Sequence, residues 1–167
     1  MNKRTLPPGF RPVRRDQLRE ERGHDSYRNL QKPPEPAACD ACGALFHGGR
    51  WQWGERPADA AGVACPACRR VRDRFPAGFL HVGGAFAAAR RDEIETLLRQ
   101  RAAREKATHP LARIMAVEEN GDGLLVTTTD LHLARDLGEA LQHAYQGALE
   151  LHYSDAEMRL RAYWRRD

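Results

Sequence analysis

The chain has 167 residues, 41% hydrophobic and 30% charged, which suits one ordinary core with a small additional module. No apolar stretch is long enough to span a bilayer, and none near the start is long enough for the core of a signal peptide, so we expect a cytoplasmic protein. The excess of Arg and Ala over Lys and Ile suggests a bacterial source. The net charge of +4 is mild, and it lies in residues 1–36, where nine Lys and Arg accompany five Asp and Glu.

Residues 1–36 form a basic, proline-rich segment with few large apolar side chains. Six of the ten prolines lie there, and such a composition cannot offset the entropy that is lost on ordering. We therefore predict a disordered basic arm, which is either an RNA tether whose cations neutralise phosphates or a solvated leader. Its candidate RNA contacts are Lys3, Arg4, Arg11, Arg14, Arg15, Arg19, Arg22 and Arg28.

Residues 37–75 contain the only four cysteines, in two Cys-x-x-Cys pairs that are held apart by 22 residues. Each such turn presents two sulfurs to one ion, and four thiolates satisfy a tetrahedral zinc. The sequence therefore predicts a zinc module in which Zn2+ is bound by Cys39, Cys42, Cys65 and Cys68. Because a closed four-sulfur shell leaves no position for an activated water, we expect this zinc to be structural.

Two alternatives exist for the cysteine pairs, namely structural disulfides and a redox motif. Disulfides require an oxidising compartment, which the start of the chain gives no reason to expect. A thioredoxin-like motif needs one pair after a strand in a βαβ unit, whereas this chain has two matched pairs. The zinc site explains the spacing better than either alternative.

The loop between the two pairs, and the residues after the second pair, carry further candidate RNA contacts. Residues 48–54 predict a hairpin, in which Trp51 and Trp53 either stack on unpaired bases or form the small core of the module. A short helix is predicted to leave the second pair with several arginines on it. The candidate RNA-binding residues of this region are Arg50, Trp51, Trp53, Arg69, Arg70 and Arg72.

Residues 76–167 alternate between strand and helix patterns. A strand over residues 78–86 comes first, and its glycines indicate a bulge or a close backbone contact. A helix follows, which Asp92 and Glu95 are predicted to cap and Pro110 to end. The apolar face of this helix consists of Ile94, Leu97, Leu98 and Ala102.

The second half of this region begins with an antiparallel hairpin, whose strands are predicted over residues 114–118 and 124–128 around an Asn-Gly-Asp-Gly turn. Thr128 or Thr129 is then predicted to cap a second helix that ends at Gly147. The apolar face of that helix consists of Ala134, Leu137, Leu141, Ala144 and Tyr145. Two alternating strands, over residues 149–153 and 158–164, complete the pattern.

The order of elements is βαββαβ with one extra strand, which predicts an α+β sandwich with two helices on one face of an antiparallel sheet. The predicted domains are the arm (1–36), a zinc-knuckle or ribbon module (37–75) and this α+β domain (76–167). The other face of the sheet either binds RNA or is simply solvated. It would carry Glu150, His152, Arg159, Arg161 and Tyr163.

Two parts of the sequence resemble the nonsense-mediated-decay-protein-3-like family, whose archaeal and eukaryotic members bind the large ribosomal subunit. One part is the zinc region, with Cys39-x-x-Cys42 and Cys65-Pro-Ala-Cys68-Arg69. The other is a strand that ends in a threonine run and opens a helix, Leu125-Val-Thr-Thr-Thr-Asp-Leu-His-Leu-Ala-Arg135, followed by Gly138-Glu-Ala-Leu141, Tyr145-Gln-Gly147 and Tyr153. The relatives carry further Cys-x-x-Cys pairs and a long C-terminal region, and eukaryotic members carry nuclear transport signals, none of which appears in this sequence.

The resemblance implies that a zinc module and an α+β domain dock on ribosomal RNA or a ribosomal subunit, with the large subunit favoured. We therefore expect a non-catalytic ribosome-binding or rRNA-binding factor that acts in subunit maturation or in stress-linked association with the ribosome. The alternative is a zinc-containing DNA-binding or protein-interaction regulator. The histidines and threonines form no recognisable nucleophile or acid–base constellation, and neither a small-molecule substrate nor a membrane partner is indicated, so we do not expect an enzyme.

Overall fold

The computed structural model describes residues 10–12, 27, 32–121 and 123–167, which form two β-sheets and four helices. Its strands are β1 (Arg11–Pro12), β2 (Ala37–Cys39), β3 (Leu45–His47), β4 (Arg50–Gln52), β5 (Ala61–Val63), β6 (Gly78–Gly83), β7 (Ile114–Asn120), β8 (Gly123–Thr128), β9 (Ala148–Ser154) and β10 (Arg159–Arg165). Its helices are α1 (Pro66–Asp73), α2 (Ala85–Ala89), α3 (Arg91–Thr108) and α4 (Leu131–Tyr145). None of these four helices is both long enough and apolar enough to cross a bilayer.

Most of the predicted arm contacts fall outside the described residues. These are Lys3, Arg4, Arg14, Arg15, Arg19, Arg22 and Arg28, and Arg11 is described by its backbone alone. The described parts of the arm touch the rest of the protein at several places. β1 pairs antiparallel with β9, and the ring of Tyr27 stacks on that of Phe75 with 5.7 Å between centroids.

The smaller sheet builds the cysteine module, in the strand order β4-β3-β2-β5. β3 and β4 form the predicted hairpin, whose turn is made by Gly48 and Gly49 with φ of 60° and 77°, the left-handed region that a two-residue turn favours. β2 pairs antiparallel with β3 and parallel with β5. Because β2 and β5 are parallel, the two cysteine turns that follow them leave from the same end of the sheet.

The larger sheet has six strands in the order β1-β9-β10-β6-β8-β7. Both predicted hairpins are present, β7 with β8 and β9 with β10. The prediction of a wholly antiparallel sheet is wrong, however, because β10 pairs with β6 in parallel. The last strand, β10, therefore lies inside the sheet, between β9 and β6, and not at an edge.

Chain direction and burial together explain the parallel pair. β6 runs antiparallel to β8, and α4 carries the chain across the sheet, so the strand that folds back after β9 runs the same way as β6. Leu160, Ala162 and Trp164 of this strand are at most 1% exposed. An inner position buries this apolar row, which an edge position would leave half open.

The helices α3 and α4 cover one face of the six-stranded sheet and enclose the main core. α4 buries Leu137 and Leu141 of its predicted apolar face, whereas Ala144 at its end is exposed. The buried cluster also includes Ile94, Leu98 and Ala102 from α3 and Leu80, Val82, Leu124, Val126, Ala162 and Trp164 from the strands. The α+β sandwich that the sequence predicted is confirmed.

Two predicted element boundaries are wrong. The strand predicted over residues 78–86 stops at Gly83, because Gly84 has φ of 101° and lies so close to the backbone of Arg166 that a side chain would not fit. The chain then forms the short helix α2. α3 begins after Arg90 without any side-chain capping bond, so the predicted capping by Asp92 and Glu95 does not occur.

The predicted N-cap of α4 is also wrong. Its N-cap is Asp130, whose carboxylate accepts a hydrogen bond from the Leu133 N–H at 2.9 Å. The two threonines predicted for this role bond elsewhere. Thr128 donates to the Asp130 carbonyl at 2.7 Å, and Thr129 donates to the Leu111 carbonyl at 2.6 Å.

The face of the large sheet opposite α3 and α4 bears the predicted set of polar side chains. On β10, Arg159, Arg161 and Tyr163 alternate with the buried row, and His152 on β9 faces the same side, with its ring 5.6 Å from that of Tyr163. His152 is only 8% exposed. His152 is therefore buried on this side of the sheet.

Candidate metal centre and the adjoining groove

Four cysteine sulfurs converge where the module meets the α+β domain. The Sγ atoms of Cys39, Cys42, Cys65 and Cys68 all lie within 4.8 Å of one another, and those of Cys42 and Cys65 are 3.8 Å apart. None of the four is in a disulfide. The cluster that the spacing predicted is thus confirmed as an arrangement that can hold a metal ion.

Each pair of cysteines is positioned by its own turn. In the first pair, Gly43 adopts φ of 80° and donates its N–H to the Cys39 carbonyl at 2.8 Å. In the second pair, Cys65 is the N-cap of α1, and its sulfur accepts the Cys68 N–H at 3.4 Å. The Cys65 N–H in turn donates to the Cys39 sulfur at 3.3 Å. Backbone N–H groups therefore point at the sulfurs of Cys39 and Cys65.

The side chain of Arg113 closes the cluster from the side of the α+β domain. Its Nη2 donates to the sulfurs of Cys42 and Cys65 at 3.0 and 3.5 Å. Its Nη1 donates to the sulfur of Cys68 at 3.3 Å. One guanidinium thus contacts three of the four candidate metal ligands, a role that the sequence analysis did not identify.

The loop that carries Arg113 is fixed by hydrogen bonds and packing. Arg113 Nε donates to the Pro110 carbonyl at 2.8 Å, and its backbone N–H donates to the Thr129 hydroxyl at 3.0 Å. Leu111 in the same loop packs against the apolar side of the cysteine cluster. The loop therefore joins the module to the sheet through the cluster itself.

In the cluster, burial and hydrogen bonding shift the pKa values of the side chains in opposite directions. Burial alone would raise the pKa of Cys39, but hydrogen bonds from backbone N–H groups lower that pKa to about 6. Burial raises the pKa of Cys65 strongly and that of Cys68 as well, although Arg113 acts against the second increase. Burial also disfavours the charged form of Arg113, yet the sulfurs of Cys68 and Cys42 outweigh it and raise the arginine pKa. Burial therefore opposes the thiolate form at Cys65 and Cys68, and a bound cation would favour it.

A groove of about 1390 Å³ lies beside the metal centre, between the module, the end of α3 and the start of α4. Arg50, Trp51 and Arg69 line it from the module. His132 and Arg135 line it from α4, where Arg135 is held by Asp136 at 2.8 Å. Among the described residues, no carboxylate lies within ion-pair distance of the guanidinium of Arg50 or Arg69.

The other predicted RNA contacts of the module lie outside this groove. Trp53 is 36% exposed, and its ring N–H donates to the Lys106 carbonyl of α3 at 2.6 Å. Arg70 is 3% exposed and donates to the Phe75 carbonyl at 3.0 Å, whereas Arg72 is exposed and pairs with its neighbour Asp73. The structure thus brings Arg50, Trp51 and Arg69 together and places the other three elsewhere.

No protein-family model, no curated protein and no solved structure matches the chain. The metal centre, the groove and the two sheets are therefore the observations from which a function can be argued.

Proposed function

We propose that the cysteine cluster binds Zn2+ through four thiolates. Zinc–sulfur bonds of about 2.3 Å in a tetrahedron place the sulfurs about 3.8 Å apart, the separation between Cys42 and Cys65. Four sulfur ligands are typical of structural zinc, and a full shell leaves no position for a reacting water. Zinc would supply the positive charge that the buried thiolates lack, and its role here is architectural.

We further propose that the protein is a non-catalytic RNA-binding factor that docks on the ribosome, with ribosomal RNA of the large subunit as its ligand. The observation that carries this proposal is the convergence of Arg50, Trp51 and Arg69 on one groove. The two guanidiniums lack carboxylate partners among the described residues, so phosphate oxygens can pair with them without displacing an existing ion pair.

Trp51 adds an aromatic surface to this wall of the groove. Its ring is half-buried and packs against Phe46 at 5.4 Å between centroids, so its orientation is fixed. An unpaired base gains stacking energy on such a ring, and the neighbouring arginines then reach the flanking phosphates. Single-stranded loops of RNA offer this combination of splayed bases and close phosphates, which duplex DNA does not.

A ribosome gradient tests the proposal. The tagged wild-type protein is expected to sediment with a ribosomal subunit or with whole ribosomes, large-subunit fractions being favoured. The double variant Arg50→Glu/Arg69→Glu is expected to shift to the top of the gradient, because two phosphate contacts become repulsive. The matched control is Arg99→Glu/Arg104→Glu, which reverses two exposed charges on α3 and should sediment like the wild type.

The same gradient separates the proposal from its alternative. A wild-type protein that stays in the soluble fraction at low salt, and that binds duplex DNA or a protein partner instead, would show that the chain is a regulator and not a ribosome-binding factor. Equal sedimentation of the groove variant and its control would show that the groove is not the contact.

A further inference from the structure

The wall of the groove and the shell of the metal centre are built from the same short stretch of chain. Ala64 and Pro66 line the groove, and Cys65 between them belongs to the cysteine cluster. Arg69, which lines the groove from α1, follows Cys68 directly. The turn that presents two candidate ligands to the ion therefore also presents a phosphate partner to the groove.

Trp51 connects the two sites a second time. It packs against the cysteine cluster, and it also lines the groove. Its ring lies 5.4 Å from that of Phe46 on the neighbouring strand, which holds it in place. Leu111 shows the same double contact from the α+β domain, since it packs against the cluster and lines the groove. At these two positions a single side chain separates the groove from the cluster.

The two cations of this wall belong to different cysteine turns. Arg50 lies on β4, which follows the first turn in the module, and Arg69 lies on α1, which begins at the second turn. The Cys65 N–H donates to the sulfur of Cys39 at 3.3 Å, so the two turns meet at the candidate ligands. Because the buried cluster between the turns is small, an ion bound by the sulfurs of both would hold Arg50 and Arg69 at one separation.

We propose that metal binding at the cysteine cluster and RNA binding in the groove are coupled. RNA that spans Arg50 and Arg69 holds the two cysteine turns together and so retains the metal, whereas loss of the metal separates the two arginines and releases the RNA. This inference rests on the proposed function, because the coupling requires RNA in the groove. The availability of the metal thereby regulates RNA binding at this site.

The coupling acts through the protein and not through contact between RNA and the ion. The described residues that line the groove include none of the four cysteines, so a phosphate in the groove does not become a metal ligand. A coupling of this kind is reciprocal, because the factor by which the metal strengthens RNA binding equals the factor by which RNA strengthens metal binding. Both directions can therefore be measured, and neither measurement depends on what RNA binding achieves.

The first measurement is the zinc affinity of the wild-type protein, determined at equilibrium against a chromogenic chelator. It is repeated with an oligouridylate of about 12 nucleotides, a length within the range that single-strand binding surfaces cover. At an oligouridylate concentration about ten times its Kd, zinc affinity is expected to rise about tenfold, because only the metal-bound groove binds RNA. The gain should grow in proportion to the oligouridylate concentration above its Kd.

Matched variants locate the coupling in the groove. Arg50→Gln/Arg69→Gln should have the same zinc affinity with and without the oligouridylate, because both phosphate partners are removed. The control Arg99→Gln, which removes an exposed charge on α3, should show the gain of the wild type. In the reciprocal measurement, fluorescence anisotropy of the labelled oligouridylate is recorded with zinc-loaded and with chelator-treated wild type. The chelator-treated protein is expected to bind at least tenfold more weakly.

The outcomes separate this inference from the function on which it rests. If the oligouridylate binds the wild type more tightly than Arg50→Gln/Arg69→Gln and leaves zinc affinity unchanged, the coupling is overturned and RNA binding in the groove stands. A gain in zinc affinity that persists in the double variant would also overturn coupling through the groove. Failure of the zinc-loaded wild type to bind any RNA would instead overturn the proposed function itself.

Discussion

Arg113 links the α+β domain to the candidate metal centre, because its guanidinium donates hydrogen bonds to three of the sulfurs. A zinc ion with four thiolates carries a net charge of minus two, and this charge is costly to bury. The Arg113 guanidinium donates hydrogen bonds to three of the sulfurs at 3.0–3.5 Å, and it would neutralise part of that charge if zinc is bound. Arg113 is thus expected to set how tightly the ion is held.

Replacing Arg113 tests this expectation. Arg113→Met keeps the length of the side chain but removes the charge and the donors, and it should weaken metal retention by about 10- to 100-fold, as loss of an outer-shell partner typically does. Metal retention in Arg113→Lys should lie between that of Arg113→Met and that of the wild type. The rate of zinc transfer to a chromogenic chelator measures the effect, with Arg99→Met as the control. Retention equal to the wild type in a folded Arg113→Met would show that the guanidinium does not stabilise the site.

The sequence identified the four candidate ligands of the metal centre but not Arg113, which hydrogen-bonds to three of them. Two Cys-x-x-Cys pairs are a local pattern with one common explanation, so Cys39, Cys42, Cys65 and Cys68 were predictable. Arg113 stands in no motif, and it reaches Cys42 and Cys68 only because the loop after α3 folds back against the module. Nothing near Arg113 in the sequence signals such a long-range contact.

The start of α4 shows how tertiary contacts decide which residue caps a helix. The sequence offers Thr128, Thr129 and Asp130 in a row, and each is an acceptable N-cap. The Thr128 hydroxyl donates to the carbonyl of Asp130 and the Thr129 hydroxyl donates to the carbonyl of Leu111 in the loop before β7, which leaves the carboxylate of Asp130 for the Leu133 N–H.

Substitution of Asp130 measures the strength of this cap. Asp130→Ala should destabilise the protein by about 1 kcal/mol, the typical loss when an N-cap acceptor is removed. Asp130→Asn keeps an acceptor oxygen and should be close to the wild type. Thermal or denaturant unfolding followed by circular dichroism gives the difference. If Asp130→Ala unfolds like the wild type while Thr129→Ala does not, the hydroxyl and not the carboxylate secures this end of the helix.

Most helices and strands of the α+β domain were predictable from the sequence. Which strands lie side by side in the sheet was less predictable. The Asn-Gly-Asp-Gly turn placed β7 and β8, alternation of apolar residues placed β9 and β10, and the helical spacing of apolar residues placed α3 and α4. The position of β10 between β9 and β6 was not predictable from any of these patterns. It depends on which arrangement buries the row of Leu160, Ala162 and Trp164, and this is a property of the whole sheet.

At the scale of the whole molecule, the two sheets have cores of very different size. The buried cluster around the sulfurs of the module is small, Cys39, Ala44, Cys65 and Ala67, so the candidate metal ligands form a large part of the core there. The α+β domain has its own extensive apolar cluster between the sheet and α3 and α4. We therefore expect the module, but not the domain, to depend on the metal for folding.

Removal of the metal should unfold the module alone. Structural zinc supplies about 10 kcal/mol or more of apparent folding free energy, which a module with so few buried apolar side chains cannot replace. Trp51 and Trp53 lie in the module, whereas Trp164 is 1% exposed in the domain core. A strong chelator should therefore shift part of the tryptophan emission to the red while the helix signal in circular dichroism largely persists.

Cys65→Ser should reproduce this state without a chelator, with metal content measured by mass spectrometry. The Ala144→Ser variant, which changes an exposed position on α4, serves as a control and should retain the metal. Full metal content and an unchanged emission spectrum in Cys65→Ser would contradict the four-thiolate site. Complete loss of the helix signal would instead show that the domain, too, requires the ion.

The parallel pair of β10 and β6 has a consequence for how the protein is made. Of the five strands of the α+β domain, β10 is synthesised last, yet its place is in the interior of the sheet. Until it emerges from the ribosome, β6 is paired on one side only, and the edge it presents carries the apolar Leu80 and Val82. Vectorial synthesis therefore cannot complete this sheet strand by strand, and the nascent chain must keep β6 and β9 from wrong partners until the missing strand arrives between them.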